Sequence, residues 1–162
     1  MQVPNGGSHR VGRLPARLAL DHITVVDATP LQLADAAFQA GFAAICPFLH
    51  SLDVMSAMPA YDMVTDLALR ARFIEQLETL NLQVDVAYPF TLSKRTIVSE
   101  FKETLACAKE VKASFANVLL YDRDAESRQS NFARFCDLAQ GFGLRTVVEF
   151  YPASQIRNLE EA

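Results

Sequence analysis

Glu149 closes a largely apolar run, Leu144-Arg-Thr-Val-Val148, and stands ahead of Phe150 and Tyr151. A carboxylate at the end of a buried strand is costly unless it is paired or bound to a cation. Hard cations such as Mg2+ or Mn2+ prefer oxygen ligands of this kind. The same residue can also be a solvated carboxylate or a partner of Arg145. Asp21 and His22 end an earlier apolar run. A histidine there can touch a bound ligand, or it can be tied to backbone inside the core, which is the commoner case. His50 falls in a long loop, the kind of segment that carries binding residues, although a plain surface histidine fits as well. Tyr88 and Asp122 end two further runs and can line a pocket or only its rim. Asp85 alternates onto the polar side of its run and needs a partner if it is buried.

These residues recur at equivalent places in one repeated unit of apolar run, loop, amphipathic helix and stop. The first run is Leu18 to Ile23. Thr29-Pro30 follows as an N-cap with proline at the first helical position, and Leu31, Ala34 and Phe38 share one helical face. Gly41 is placed to end that helix in a left-handed conformation. The second run, Ala43 to Cys46, is ended by Pro47, and a loop with His50, Asp53 and Pro59 leads to a helix. Val64, Leu67, Ala71, Ile74 and Leu77 are expected on the apolar face of that helix, and Asn81 is expected to close it. The third run spans Leu82 to Tyr88, with Pro89 as its expected end. Ile97, Phe101, Leu105, Ala108 and Val111 form the next helical stripe. The fourth run is Phe115 to Leu120. Phe132, Phe135, Ala139 and Phe142 follow as a stripe packing onto the sheet, with Gly143 as the stop. After the fifth run, Leu144 to Phe150, a last polar helix is expected from near Ser154, still open at Ala162.

The 162 residues amount to one ordinary domain. Residues 1–16, with Pro4, Gly6, Gly7, Gly12 and Pro15, read as a flexible tail, and the organised chain covers residues 17–162. At 51% hydrophobic and 21% charged residues the chain can bury a core. The net charge of −4 and the lack of a basic stripe argue against a nucleic-acid partner. No apolar stretch reaches the roughly 18 residues that span a bilayer, and the start lacks the apolar core of a signal peptide, so no membrane partner is expected. Cys46, Cys107 and Cys136 match no zinc spacing and point to a reducing, cytoplasmic setting.

Strand–helix alternation implies a parallel sheet with right-handed crossovers. At about 32 residues per unit, eight units need roughly 250 residues, the usual size of a (β/α)8 barrel. A five-stranded doubly wound sheet fits without truncation. Its nucleotide-binding version is disfavoured, because His22-Ile23-Thr24-Val25 stands where a glycine-rich turn belongs and no P-loop is present. The pattern alone leaves both architectures open.

Three stretches resemble a known family. They are Leu18 to Asp27 followed by Thr29 to Phe42, with its Ala-Gly-Phe ending; Leu82-Gln-Val-Asp-Val86; and Leu138 to Phe150, a helix, a glycine and a strand leading to a glutamate. Together they are similar to the N-terminal part of sugar-phosphate isomerase/epimerase proteins of the xylose-isomerase-like superfamily. The resemblance covers about residues 17 to 162. It implies an α/β fold, a partial (β/α)8 TIM barrel of about five parallel β/α units truncated at the C-terminus. It also implies a divalent metal (Mn2+, Mg2+, Co2+ or Zn2+), complete only in the whole barrel, with Glu149 as the first ligand and one candidate base. His22, His50, Tyr88 and Asp122 become candidate substrate-binding residues, and the partner is a sugar or sugar phosphate. The reaction implied is aldose–ketose isomerisation or epimerisation, with these residues alone expected to be inactive and open to self-association or homo-oligomer formation. Two rivals stand beside it: a metal-dependent endonuclease of the same barrel, disfavoured by the acidic charge, and a non-catalytic pseudo-enzyme.

Overall fold

Thr29 and Gln32 start the first helix by reciprocal capping. In the computed structural model, which describes residues 18–161, the Gln32 N–H donates to Thr29 Oγ1 at 3.3 Å and the Thr29 N–H donates to Gln32 Oε1 at 2.8 Å. Pro30 takes the first helical position, where its missing N–H costs nothing. Gly41 ends the helix at φ 83°, a conformation that glycine adopts without strain. The expected tail at residues 1–16 lies outside the described residues.

The element order is β1 (Ala19–Asp21), α1 (Pro30–Ala40), β2 (Ala44–Cys46), α2 (Leu67–Leu80), β3 (Gln83–Val84), β4 (Val86–Leu92), α3 (Lys102–Glu110), β5 (Phe115–Leu120), α4 (Ala125–Gly141) and β6 (Arg145–Val148). All strand pairs are parallel, in the orders β1-β2-β3 and β4-β5-β6. Asp85 joins the two groups. Its N–H donates to Ile45 O at 3.0 Å on one side, and its carbonyl accepts from the Phe115 N–H at 2.9 Å on the other. A parallel bridge between Phe48 and Tyr88 extends the contact between the second and third runs. β3 and β4 are therefore one bent strand, and the sheet is an arc of five strands in sequence order. Consecutive order follows when each helix returns the chain to the next position in the sheet, and it excludes the reversed order of a doubly wound sheet.

Three local expectations are corrected. Pro89 does not end the third run: β4 continues through a cis Tyr88–Pro89 bond to Leu92, with its register to β5 shifted between Ala87 and Phe90. A proline cannot donate to a ladder, and the irregularity falls where that donor is missing. On α2 the buried face is Leu69, Phe73 and Leu77, while Leu67 is 63% exposed. The Asp66 side chain accepts from the Leu69 N–H at 2.9 Å and starts the helix there, which rotates the buried stripe to positions i, i+4 and i+8. The polar helix expected from Ser154 does not form. Ser154 Oγ donates to Ile156 O at 2.6 Å and accepts from the Ile156 N–H at 3.1 Å, a local bond that competes with helix. Gln155 N–H donates to Leu120 O at 2.7 Å, which brings this segment back to the end of β5.

The helices pack on the sheet through fully buried side chains such as Leu33, Phe73, Leu105 and Phe135. Phe90, Phe101 and Phe135 form an aromatic trio with ring centroids 5.2 to 5.7 Å apart, clamping α3 and α4 to β4. No described helix is long and apolar enough to cross a membrane.

Candidate functional site

In a parallel sheet every strand delivers its C-terminal end to the same side. Asp21 closes β1, Tyr88 lies on β4, Asn117 on β5, and Glu149 directly follows β6, its N–H donating to Val118 O at 3.0 Å. All four line one cleft of about 470 Å3, whose other walls are mainly apolar and aromatic, among them Phe48, Tyr121 and Tyr151.

Two side-chain pairs organise its polar groups. The Asn117 carboxamide, 5% exposed, donates through Nδ2 to Glu149 Oε2. A buried amide in a valine–leucine strand needs such a partner, and the bond fixes the direction of the carboxylate. Across the cleft Tyr88 Oη donates to Asp21 Oδ2 at 3.0 Å, and Asp21 Oδ1 accepts from the Ile23 N–H at 3.0 Å. The Tyr88 ring stacks on Phe48 at 5.2 Å. Burial, and then the negative charge of Asp21, push the Tyr88 phenol above its ordinary range, so Tyr88 is a neutral donor at physiological pH.

Of the residues singled out from the sequence, Asp21, Tyr88 and Glu149 meet in this cleft. His22 does not line it. His22 is fully buried, with Nδ1 accepting from the Phe48 N–H at 3.2 Å and Nε2 donating to Ala28 O at 2.9 Å. Because a backbone N–H can only donate, this pairing selects the neutral tautomer with its proton on Nε2. Burial lowers the pKa, and Tyr61 stacks on the ring at 6.0 Å. His22 therefore ties the turn after β1 to the loop after β2. His50 also lies outside the cleft: its Nδ1 sits 3.0 Å from Ser51 O, and its backbone bridges Asp62.

Asp122 is 2% exposed, and it accepts from Ser127 Oγ at 2.6 Å and from the Asp124 N–H at 3.0 Å. The Ser127 hydroxyl holds its carboxyl below the usual range, helped by the Asp124 N–H and the charges of Lys94 and Arg128. It organises the start of α4 and lines a neighbouring opening rather than the cleft. Asn117 went unnoticed in the sequence. Its signal was a carboxamide inside an apolar run, which demands a buried partner.

The described residues contain no group of three or more His, Cys, Asp or Glu placed to hold a metal ion. Glu149 and its carboxamide fall short of the three or more protein ligands that a catalytic cation asks for. On their own the described residues do not fit the divalent metal.

No family model matches the sequence, and no curated protein matches it either. Solved structures do match. A xylose isomerase domain containing protein from Salmonella typhimurium LT2 superimposes with a TM-score of 0.63 at 16% identity, covering 88% of this chain and 53% of that one. The probable 3-DHS dehydratase of Bacillus anthracis, involved in petrobactin synthesis, gives 0.59 at 16% identity over 88% and 55%. A sugar phosphate isomerase/epimerase from Parabacteroides distasonis gives 0.54 at 14% identity over 88% and 55%. The chain spans about half the length of each of these structures. At such identities the likeness is one of fold, and it agrees with the five-stranded arc. The chain has the parallel β/α fold of about half of the xylose isomerase domain containing protein it superimposes on.

Proposed function

We propose that the protein is a sugar or sugar-phosphate isomerase/epimerase and that this arc carries part of its active site. The observation that supports this best is Glu149: a carboxylate at the C-terminal end of a barrel strand, aimed by Asn117, in a mainly apolar cleft. Isomerisation and epimerisation both begin with removal of a proton from carbon next to a carbonyl. Glu149 has the chemistry for that step, since a positioned carboxylate is a general base. Tyr88, kept neutral, offers a hydrogen bond to a substrate oxygen, and Asp21 orients Tyr88. The aromatic walls suit the C–H faces of a sugar ring. A dehydratase among the solved neighbours fits the same chemistry, because loss of water from a hydroxylated carbonyl compound also needs a base facing a C–H bond. The divalent metal belongs to this reading only for the whole protein, with Glu149 as one ligand. The free thiols Cys46, Cys107 and Cys136 support a cytoplasmic setting.

The test is solvent exchange. The intact protein is incubated in D2O with a panel of ketoses and their phosphates, and deuterium at the carbon beside the carbonyl is followed by NMR. Glu149→Gln keeps the shape of the side chain and removes the base, so uptake should fall by about a hundredfold or more. Undiminished uptake in the variant would overturn the reading.

A further inference from the structure

Beside the cleft, sharing Tyr121 with it as a wall, lies an open pocket of about 610 Å3. Ser93, Lys94 and Arg95 enter it from the loop after β4, and Asp122, Arg123 and Asp124 from the loop after β5. The Tyr121 N–H donates to Leu92 O at 2.7 Å and fastens the two loops side by side. Each loop is held internally. Ser93 N–H donates to Thr96 Oγ1 at 2.8 Å, and Arg128 Nη1 donates to Asp122 O at 2.7 Å.

The two acids and the three bases of this pocket are differently engaged. Asp122 accepts from Ser127 Oγ, and Asp124 accepts from the Ser127 N–H at 2.7 Å, so both carboxylates serve the start of α4. Lys94, Arg95 and Arg123 make no ion pair among the described residues. Asp122 and Asp124 offset two of the three positive charges at this opening, and the one left in excess favours an anion. Arginine forks and a lysine ammonium match phosphate oxygens in number and geometry. The cleft next door has the opposite character. It is lined by the carboxylates of Asp21 and Glu149 and, among the described residues, by no lysine or arginine, so a phosphate is disfavoured there.

We infer that the pocket formed by Lys94, Arg95 and Arg123 is an anion site for the phosphate monoester end of a ligand whose carbon skeleton lies in the cleft, on the other side of Tyr121. This rests on the proposed function only in taking that ligand to be the substrate. It deepens that reading by selecting the phosphorylated sugar over the free one.

Calorimetric titrations of the intact protein test it with inorganic phosphate, a free ketopentose and the same ketopentose 5-phosphate. The phosphate ester should bind more tightly than either of the other two. Arg95→Gln with Arg123→Gln should weaken the ester about tenfold and leave the free sugar unchanged. Equal affinity for ester and free sugar, or an unchanged ester affinity in the double variant, would overturn the site. Glu149→Gln separates the two proposals. It should lose deuterium exchange while retaining phosphate binding. Exchange that survives in Glu149→Gln, beside a phosphate affinity that the arginine pair controls, would sink the proposed function and leave the anion site standing.

Discussion

Asn117 in the middle of β5 donates its side-chain amide to the carboxylate of Glu149, the residue that follows β6, so two neighbouring strands share the task of aiming one acid into the cleft. Replacing Asn117 with leucine fills the volume and removes the donor. Deuterium exchange should then fall about tenfold to hundredfold, since a reacting group displaced by about 1 Å loses rate on this scale. Circular dichroism should show the fold intact. Full exchange by Asn117→Leu would show that the amide does not position Glu149.

His22 makes stability depend on pH. Its pKa in the folded chain lies below the ordinary 6.5 because burial disfavours the charged ring. The unfolded chain therefore binds the proton more readily, and stability must fall as pH drops below about 6.5. Urea unfolding at pH 7.5 and at pH 5.5 should show this loss in the wild type. His22→Leu should cost about 2 kcal/mol at the higher pH, because the Phe48 N–H and the Ala28 carbonyl lose their partner, and it should flatten the pH dependence.

The thiols should react in a set order. Burial pushes Cys46 up to about 12 and Cys107 up to about 11, so neither supplies thiolate at neutral pH. Cys136 on α4 is only half-buried. Iodoacetamide at pH 8 followed by mass spectrometry should label Cys136 in the folded protein and reach Cys46 and Cys107 only in denaturant. Rapid labelling of Cys46 in the folded state would contradict the packing around β2.

Two changes at the ends of α1 test its caps. Gly41→Ala forces a side chain into φ 83° and should cost about 1 kcal/mol or more. Thr29→Ala removes one half of the capping box and should cost about 1 kcal/mol. The two ends are far apart and share no partners, so the double variant should show the sum in thermal melts.

The strand–helix rhythm, the caps at Thr29-Pro30, Gly41 and Asn81, and the strand-end place of Glu149 were legible in the sequence, whereas Tyr88, read as a strand end, lies inside β4. Each depends on local chemistry: helical periodicity, backbone conformation at φ above zero, and the cost of a carboxylate at the end of an apolar run. The tertiary structure decided which of the candidates share a space. His22 follows β1 and Tyr88 lies on β4, yet His22 is captured by the backbone of Ala28 and Phe48, whereas Tyr88 reaches Asp21 across the cleft. It likewise decided that Leu69 and not Leu67 faces the core, because apolar residues stand on both sides of that helix and only the Asp66 cap sets its phase. The partnership of Asn117 with Glu149 spans 32 residues and depends on the parallel register of β5 and β6, a relation that no local pattern in the chain encodes.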